Sequence, residues 1–501
     1  MPDAIVIGAG PNGLVAANLL ADAGWSIEVL EAQSRPGGAV KSSESVEPGF
    51  VHDEFSSFYP LGAASPALRG LQLERWGLEW AHGPLAMAHP ATDGSCAVLS
   101  RDLDETAASL EAFASGDGDA WRALFARWGR VGEPLLQALA TPFPPVRAGL
   151  RLALRLRRDL PDFARLSTLS VRRLADESFA GEGGGRLLAG NAMHTDLLPE
   201  SSLGGFFGWL LCCLGQTVGF PCARGGASNL TAALVRRLEA KGGRVTCGAR
   251  VHEIVVERGR ARAVRSAAGD VSATKAILAD VHAVPLYLDL LPRSAVPARV
   301  LRAIERFEHD PATYKVDWAL DGPIPWAVPD ARRAPVVHVA ESVDELSVTQ
   351  HELARGLRPA NPFLVLGQYS MADPTRMPAG KEAAWAYTHL PHGVPTEGLA
   401  ERLEDRVEAL APGFRGLIRT RRIWEPADFE AADENLPGGA LSGGTSQLHQ
   451  QLIFRPIPGL GRPETPVKGL YLASASAHPG GGVHGFPGAI AAKAALHKPF
   501  R

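Results

Sequence analysis

The stretch Ala4-Ile5-Val6-Ile7-Gly8-Ala9-Gly10-Pro11-Asn12-Gly13 constrains the fold of this chain more than any other. An apolar, β-branched run enters a G-x-G-x-x-G turn, and a small-residue helix from Leu14 to Leu20 leaves it. A second apolar run, Ile27-Glu28-Val29-Leu30, ends at Glu31. This spacing predicts a βαβ unit with an acidic side chain where a dinucleotide ribose needs one. Gly8 and Gly10 allow a tight turn and close backbone approach, and Gly13 lets helix and strand pack closely. The helix N-terminus then offers free N–H groups and a partial positive charge to a diphosphate. A tight strand–helix turn without a ligand is the alternative.

The continuation after Glu31 selects among dinucleotides. It reads Ala32-Gln33-Ser34-Arg35-Pro36-Gly37-Gly38-Ala39. An NAD unit has no need of an Arg-x-Gly-Gly segment, whereas FAD proteins of the glutathione-reductase type commonly carry one. In those proteins the Gly-Gly backbone passes close to the cofactor and the arginine can contact its phosphates. The N-terminal segment therefore predicts FAD, with Gly8, Ala9, Gly10, Pro11, Asn12, Gly13, Glu31, Ala32, Arg35, Gly37, Gly38 and Ala39 as its binding residues.

At 501 residues the chain is too long for one simple core, and two intertwined domains are expected. A formal net charge of −3 gives no electrostatic reason to propose nucleic acid. The cysteines at 96, 212, 213, 222 and 247 form no C-x-x-C pair and no zinc spacing, so no metal is predicted. Cys212-Cys213 lies inside an apolar run and reads as buried thiols in a reducing cytoplasm. The first strand starts too near Met1 to leave room for a signal peptide, and the apolar run Leu203–Leu214 is shorter than the ~20 residues of a spanning helix.

After about residue 80 the α/β rhythm gives way to a helical, Arg/Leu-rich stretch. Arg147, Arg151, Arg155 and Arg158 fall on one stripe of a predicted helix, with Leu152, Leu156 and Leu160 on the opposite side. The stripe reads first as a solvated face, and second as a face for an anionic membrane surface. The rhythm returns at Gly219–Leu230, which leads into a helix from Thr231 to Ala240. Strands are predicted at Arg244–Cys247, Val251–Glu257, Ala261–Ser266 and Lys275–Leu278, with Arg258-Gly259 as a hairpin turn. Residues 290–460 are mixed, and a last strand at Lys468–Ala473 runs into the glycine-rich loop Ser474–Gly488 and a helix from Ala489 to Leu496.

With these blocks in place the chain resembles the phytoene desaturase (phytoene dehydrogenase-related) family of FAD-dependent oxidoreductases. It is most similar to the subgroup named pyridine nucleotide-disulphide oxidoreductase domain-containing proteins. The resemblance rests on Gly8–Gly13 with Glu31 and Arg35-Pro36-Gly37-Gly38, on Pro221–Leu230, and on Phe454-Arg455-Pro456-Ile457-Pro458-Gly459 through Leu470–Leu472 to His478-Pro479-Gly480-Gly481-Gly482. It implies an α/β chain, α+β overall, in which a mixed α+β substrate domain is inserted into a glutathione-reductase-type Rossmann FAD domain. The FAD domain would take residues 1–80, 219–290 and 461–501, and the substrate domain residues 81–218 and 291–460. By the same resemblance Val251 borders the adenine, while Ser474, Ala475, Gly482, Val483 and Gly485 border the ribityl chain and flavin ring. Ser474 and Ala477 stand where relatives usually have glycine and threonine. The single G-x-G-x-x-G fingerprint and the lack of a spaced cysteine pair disfavour direct reduction by a nicotinamide. With no cysteine beyond Cys247, covalent flavin attachment near the C-terminus is disfavoured as well.

The family chemistry moves a hydride from a substrate C–H to flavin N5, with the protein supplying placement and electrostatics. A helix N-terminus at Gly485–Ala489 would stabilise the resulting charge by roughly 0.3–2 kcal/mol. Candidate acid–base residues are His52, Asp53, Tyr59, His194, Asp196, His478 and His484, and each also has a structural reading. The run Phe206-Phe207-Gly208-Trp209-Leu210-Leu211 is a candidate substrate wall or a plain core helix. Three functions follow: a desaturase or dehydrogenase of an apolar isoprenoid- or lipid-like substrate with oxygen or a quinone as acceptor, a flavin amine oxidase, or a non-redox flavin-dependent isomerase or partner-binding flavoprotein.

Overall fold

Residues 1–497 are described by a computed structural model of the chain. A five-stranded parallel sheet forms at its centre, in the order Leu470–Leu472, Ala276–Ala279, Ala4–Ile7, Ile27–Leu30, Arg244–Thr246. Register places Ala4 beside Ala276 on one side and Ile27 on the other. Residues 4–7 and 276–279 are buried throughout, which explains why they read as continuous apolar runs: a parallel sheet is covered on both faces.

One face is covered by the helices Pro11–Asp22, Ser228–Ala240 and Phe486–His497. Asn18 in the first of these ties in the second, donating to the Leu234 carbonyl (3.0 Å) and accepting from Arg237 (3.0 Å). The other face packs against an antiparallel meander of Val251–Glu257, Arg260–Ser266 and Gly269–Ser272. Its first turn is the one predicted at Arg258-Gly259, where φ is +51° and +74°, the left-handed pair a two-residue hairpin requires.

Beyond this core lies a seven-stranded sheet in the order 418–424, 312–320, 382–390, 364–368, 336–339, 87–90, 96–99. Helix Leu399–Leu410 covers one face, and helices including Asp117–Leu139, Glu182–Ala192 and Gly204–Val218 build a separate core on the other. Its edge corrects the expectation that the chain turns helical after residue 80. Met87–Pro90 and Cys96–Leu99 pair as an antiparallel hairpin around Asp93-Gly94, a hairpin-turn dipeptide.

The arginine stripe is also shorter than predicted. Helix Val146–Leu156 carries Arg147, Arg151 and Arg155, but Arg157 turns to φ +48° and Arg158 and Leu160 lie past its end. Pro161 begins the next helix, Leu160–Leu166, and could not have continued this one. Leu156 is buried as expected, whereas Val146, Leu150 and Leu154 are 71, 60 and 64% exposed.

Two buried charges fix the loops that leave these sheets. Arg455, 1% exposed, donates to the carbonyls of Ser442 (2.9 Å), Gly443 (3.0 Å), Thr445 (3.0 Å) and Ala475 (2.9 Å). Asp310 accepts from the amides of Leu441, Ser442 and Gly444 at 2.8–3.0 Å. Segment 441–446 is thereby held against the loop at 474–477.

Two substitutions test this framework. A β-carbon on Gly488 would stand 1.9 Å from the Asn12 carbonyl oxygen, so Gly488→Ala forces the helices 11–22 and 486–497 apart. Such overpacking costs about 1–3 kcal/mol, read as a lower urea midpoint. Arg455→Met leaves buried carbonyls without donors, and a loss of about 3 kcal/mol is expected by the same measurement. Equal midpoints for wild type and variant would contradict either assignment.

Candidate active site

The parallel strands 4–7, 276–279 and 470–472 end at one edge of the sheet, and each hands over to a loop there. Crevices outside the carboxyl ends of such strands are where ligands bind in α/β sheets. At the end of the first strand, Gly8 has φ +93°, and a β-carbon on Gly13 would stand 2.3 Å from the Gly8 carbonyl. The Gly37 amide donates to the Ala9 carbonyl (2.9 Å), laying Gly38 over Gly10. From the far end of the chain, residues 474–483 run along the same crevice.

A cavity of about 380 Å3 occupies this junction. Of the residues predicted to bind cofactor, Gly10, Pro11, Asn12, Gly38, Ala39, Ser474, Ala475, Gly482 and Val483 line it. Gly8, Ala9, Gly13, Gly37 and Gly485 build the turns behind that wall; a β-carbon on Gly485 would meet Val15 at 2.7 Å. Glu31 and Ala32 follow the strand Ile27–Leu30. Glu31 accepts from the amides of Ala9 (2.7 Å) and Gln33 (2.9 Å), and its own carbonyl receives the Ala249 amide, which brings Val251 to the same side. Arg35 is not drawn to the glycine crevice. Its guanidinium pairs with Glu54 and donates to the Ser42 carbonyl (2.8 Å).

The acid–base candidates separate clearly. Asp53 is buried outside the cavity and saturated: it pairs with Arg376 (2.8 Å) and accepts from the Ala227 amide (2.7 Å) and the hydroxyls of Ser42 and Tyr369. His52 faces the Trp318 carbonyl at 3.0 Å, and burial lowers its pKa. Asp196 accepts from the Ser446 amide (2.7 Å) and the Thr445 hydroxyl, a loop tether. His484 accepts from the Phe486 amide at Nδ1 (3.0 Å), so its proton sits on Nε2, which faces the Gly481 carbonyl. It caps the start of helix Phe486–His497, and burial pushes its pKa down to about 4. His478 packs edge-on against Phe143, its pKa also lowered to about 4 by burial and by Arg455. Only Tyr59 and His194 reach the cavity. The Tyr59 hydroxyl donates to the Ser56 carbonyl (2.7 Å), and His194 Nε2 shares a proton with His338 Nε2 at 2.9 Å. Burial, then His389, lowers the His194 pKa to about 4, so it is neutral at physiological pH.

Several cavity residues were not anticipated. Asp280 follows the strand 276–279, and Asp433 and Asn435 arrive from the segment after helix Pro426–Ala432. Asp280 had a readable signal, being the residue at the carboxyl end of a strand beside the first. Trp385 and Tyr387 stack at 6.0 Å and 14°, two residues apart on one strand face. Lys315 also lines the cavity, but its ammonium is held by Asp317 and by the Asp53 carbonyl (2.8 Å).

These residues fit FAD. Gly10 and Gly38 form a cradle that β-carbons would fill: one on Gly38 would stand 3.0 Å from the Gly10 Cα. Asn12 Oδ1, Thr313 Oγ1 and His282 Nε2, on residues lining the cavity, are buried without a hydrogen-bond partner in the protein. Buried polar atoms of this kind call for a polar ligand or water.

Comparison with known proteins agrees. Residues 12–491 match the family described as flavin containing amine oxidoreductase. The chain is 27% identical to the rat (Rattus norvegicus) pyridine nucleotide-disulfide oxidoreductase domain-containing protein 2, covering 98% of this chain and 92% of the relative. It is 26% identical to a lycopene-forming phytoene desaturase of Pseudescherichia vulneris, covering 99% of each. An oxidoreductase of Methanosarcina mazei shares the fold at a TM-score of 0.63 and 15% identity, over 99% of this chain and all of that one. The glycine turns, the crevice they border and a match spanning almost the whole length make this chain a member of the flavin containing amine oxidoreductase family, an FAD-dependent oxidoreductase.

Proposed function

We propose that the chain dehydrogenates an elongated apolar substrate, isoprenoid- or lipid-like, and passes the electrons to oxygen or a quinone. The observation carrying this reading is the wall of the cavity away from the glycines. Phe207, Leu210, Leu211, Phe220, Val336 and Val365 line it, from the helix Gly204–Val218, the loop just past it and the seven-stranded sheet. The carboxylates on the cavity, Asp280 and Asp433, lie at the Gly10–Gly38 end. Nothing charged and unpaired therefore waits on the apolar wall to receive an ammonium. Trp385 and Tyr387 stack on one another with centroids 6.0 Å apart, which leaves no room for an amine between the rings.

When bound, FAD accepts the hydride; the residues of the chain place the substrate and exclude water. Replacing Leu211 with Glu puts a charge on the substrate wall without touching the glycine cradle. The variant should keep its flavin absorbance while kcat/KM for an apolar substrate falls at least tenfold, about 1.4 kcal/mol of lost transition-state binding. Unchanged turnover of an apolar substrate, or preferential oxidation of short amines by the wild type, would count against this reading.

An apolar substrate resides in lipid, and the surface offers a means of reaching it. Val146, Leu150 and Leu154 form an exposed row beside Arg147, Arg151 and Arg155. Leu452, Ile453 and Phe454 are 40, 48 and 37% exposed on a second segment. Both segments border the cavity loop: Phe143 packs on His478, and Arg455 lies beside Gly480. No helix among the described residues is long and apolar enough to cross a membrane, so contact would be peripheral. Arg147 and Arg151 commit the face to anionic lipid, each contributing roughly 1 kcal/mol near such a surface, while Arg155 pairs with Glu133 (3.6 Å). Co-sedimentation with phosphatidylserine vesicles should therefore exceed that with neutral vesicles. It should fall severalfold in the Val146→Ser, Leu150→Ser, Leu154→Ser variant, and no sedimentation with either vesicle would refute the contact.

A further inference from the structure

The amide that the glycine turn should reserve for a diphosphate is already engaged by an acid. The Gly13 N–H donates to Asp280 Oδ2 at 2.8 Å, and Asp280 is only 4% exposed. The same oxygen lies where it would meet β-carbons on Gly10 (2.7 Å) and Gly13 (3.0 Å), so the carboxyl group sits inside the turn. Asp433, half-buried, approaches the facing glycine: a β-carbon on Gly38 would stand 3.3 Å from its Oδ2. Two acids thus border the crevice where the family binds a group of two negative charges.

We propose that Asp280 holds the FAD diphosphate as a neutral carboxylic acid, so that at alkaline pH cofactor binding takes up a proton at this residue. In that form Oδ2 still accepts from Gly13, and the acid proton becomes a donor toward an anionic oxygen. As a carboxylate, the same group would repel the diphosphate across a dry crevice. The arrangement rests on the FAD assignment and extends it to how the cofactor is retained.

The surroundings favour the neutral acid. Burial raises the Asp280 pKa to about 8; the Gly13 hydrogen bond opposes this, and Asp433 and Glu31 reinforce it. Asp433 is raised to about 6 by burial, with the Asn435 amide and Lys41 opposing and Glu31 and Glu434 adding to the rise. His282, two residues beyond Asp280, is pushed down to about 3 by burial, His309 and Arg455, so it brings no positive charge. The sign follows directly. A diphosphate raises the Asp280 pKa further, so the Asp280 contribution to binding is level from about pH 6.5, above the Asp433 titration, to about 8 and is lost as pH rises above it.

The test is FAD binding to the stripped protein, followed by quenching of flavin fluorescence between about pH 6.5 and 9 at fixed ionic strength. Wild-type Kd should be level up to about pH 8 and then rise toward tenfold per pH unit. Asp280→Asn, which keeps an acceptor for Gly13 and cannot ionise, should bind more tightly than wild type above pH 8 with a level profile. Calorimetry near the upper limit, in two buffers of different ionisation enthalpy, should show uptake of close to one proton by the wild type and none by the variant. A level wild-type profile without proton uptake overturns the proposal, as does a variant that keeps the wild-type slope. If the variant does not fold, proton uptake by the wild type decides. Protein that binds no FAD at the lower pH limit would overturn the cofactor assignment itself.

Discussion

Parallel pairing of the strand at residues 4–7 with that at 276–279, and of the latter with 470–472, is the constraint on which the rest depends. Partners so far apart in the chain carry a loop-closure cost that grows only slowly with length, whereas burying their apolar faces stabilises each strand along its whole span. Because all three run the same way, their ends gather the glycine turn, Asp280 and the glycine-rich loop at 474–483 at one edge. The binding crevice is a consequence of strand direction.

Around that edge, loops are held by buried ions rather than by regular structure. Arg455 gathers carbonyls from residues 442–445 and 475, Asp310 gathers the matching amides, and Arg376 joins Asp53 to the Ala223 carbonyl. Taking such charges out of water is unfavourable, and it is offset only when every donor and acceptor finds a partner. This explains why Asp53, next to the glycine segment in sequence, is a framework residue. Its acceptor capacity is consumed by tying together the segments at Ser42, Ala227, Tyr369 and Arg376, and none remains for a substrate.

The histidines follow the same logic. His194, His478 and His484 are each pushed to about 4, chiefly by burial, and so are neutral at physiological pH. His484 serves the helix that follows it, accepting the Phe486 amide that would otherwise be left unpaired. The protein thus supplies a cavity lined mostly by neutral side chains, whose reactivity comes from the cofactor. The exception is the pair of acids at the glycine end, where a proton substitutes for a missing positive charge.

The residues alone determined the βαβ start, its glycine turn, Glu31, the Arg258-Gly259 hairpin and the closing strand–loop–helix, because each depends on local geometry that only certain residue types allow. They also pointed to FAD, since the glycines that let backbone approach a cofactor are adjacent in the chain. The hairpin at 87–99 was obscured because its strands complete a sheet whose other members come from residues 312–424. The break at Arg157 was missed because arginines and leucines keep helical spacing up to Leu160, across the left-handed residue at 157. Asp433, Trp385 and Tyr387 gain their roles only in space, from segments that share no periodicity. Tertiary structure alone decided which ionisable groups meet the cavity, because burial and convergence, not residue type, set a side chain's partners and its charge.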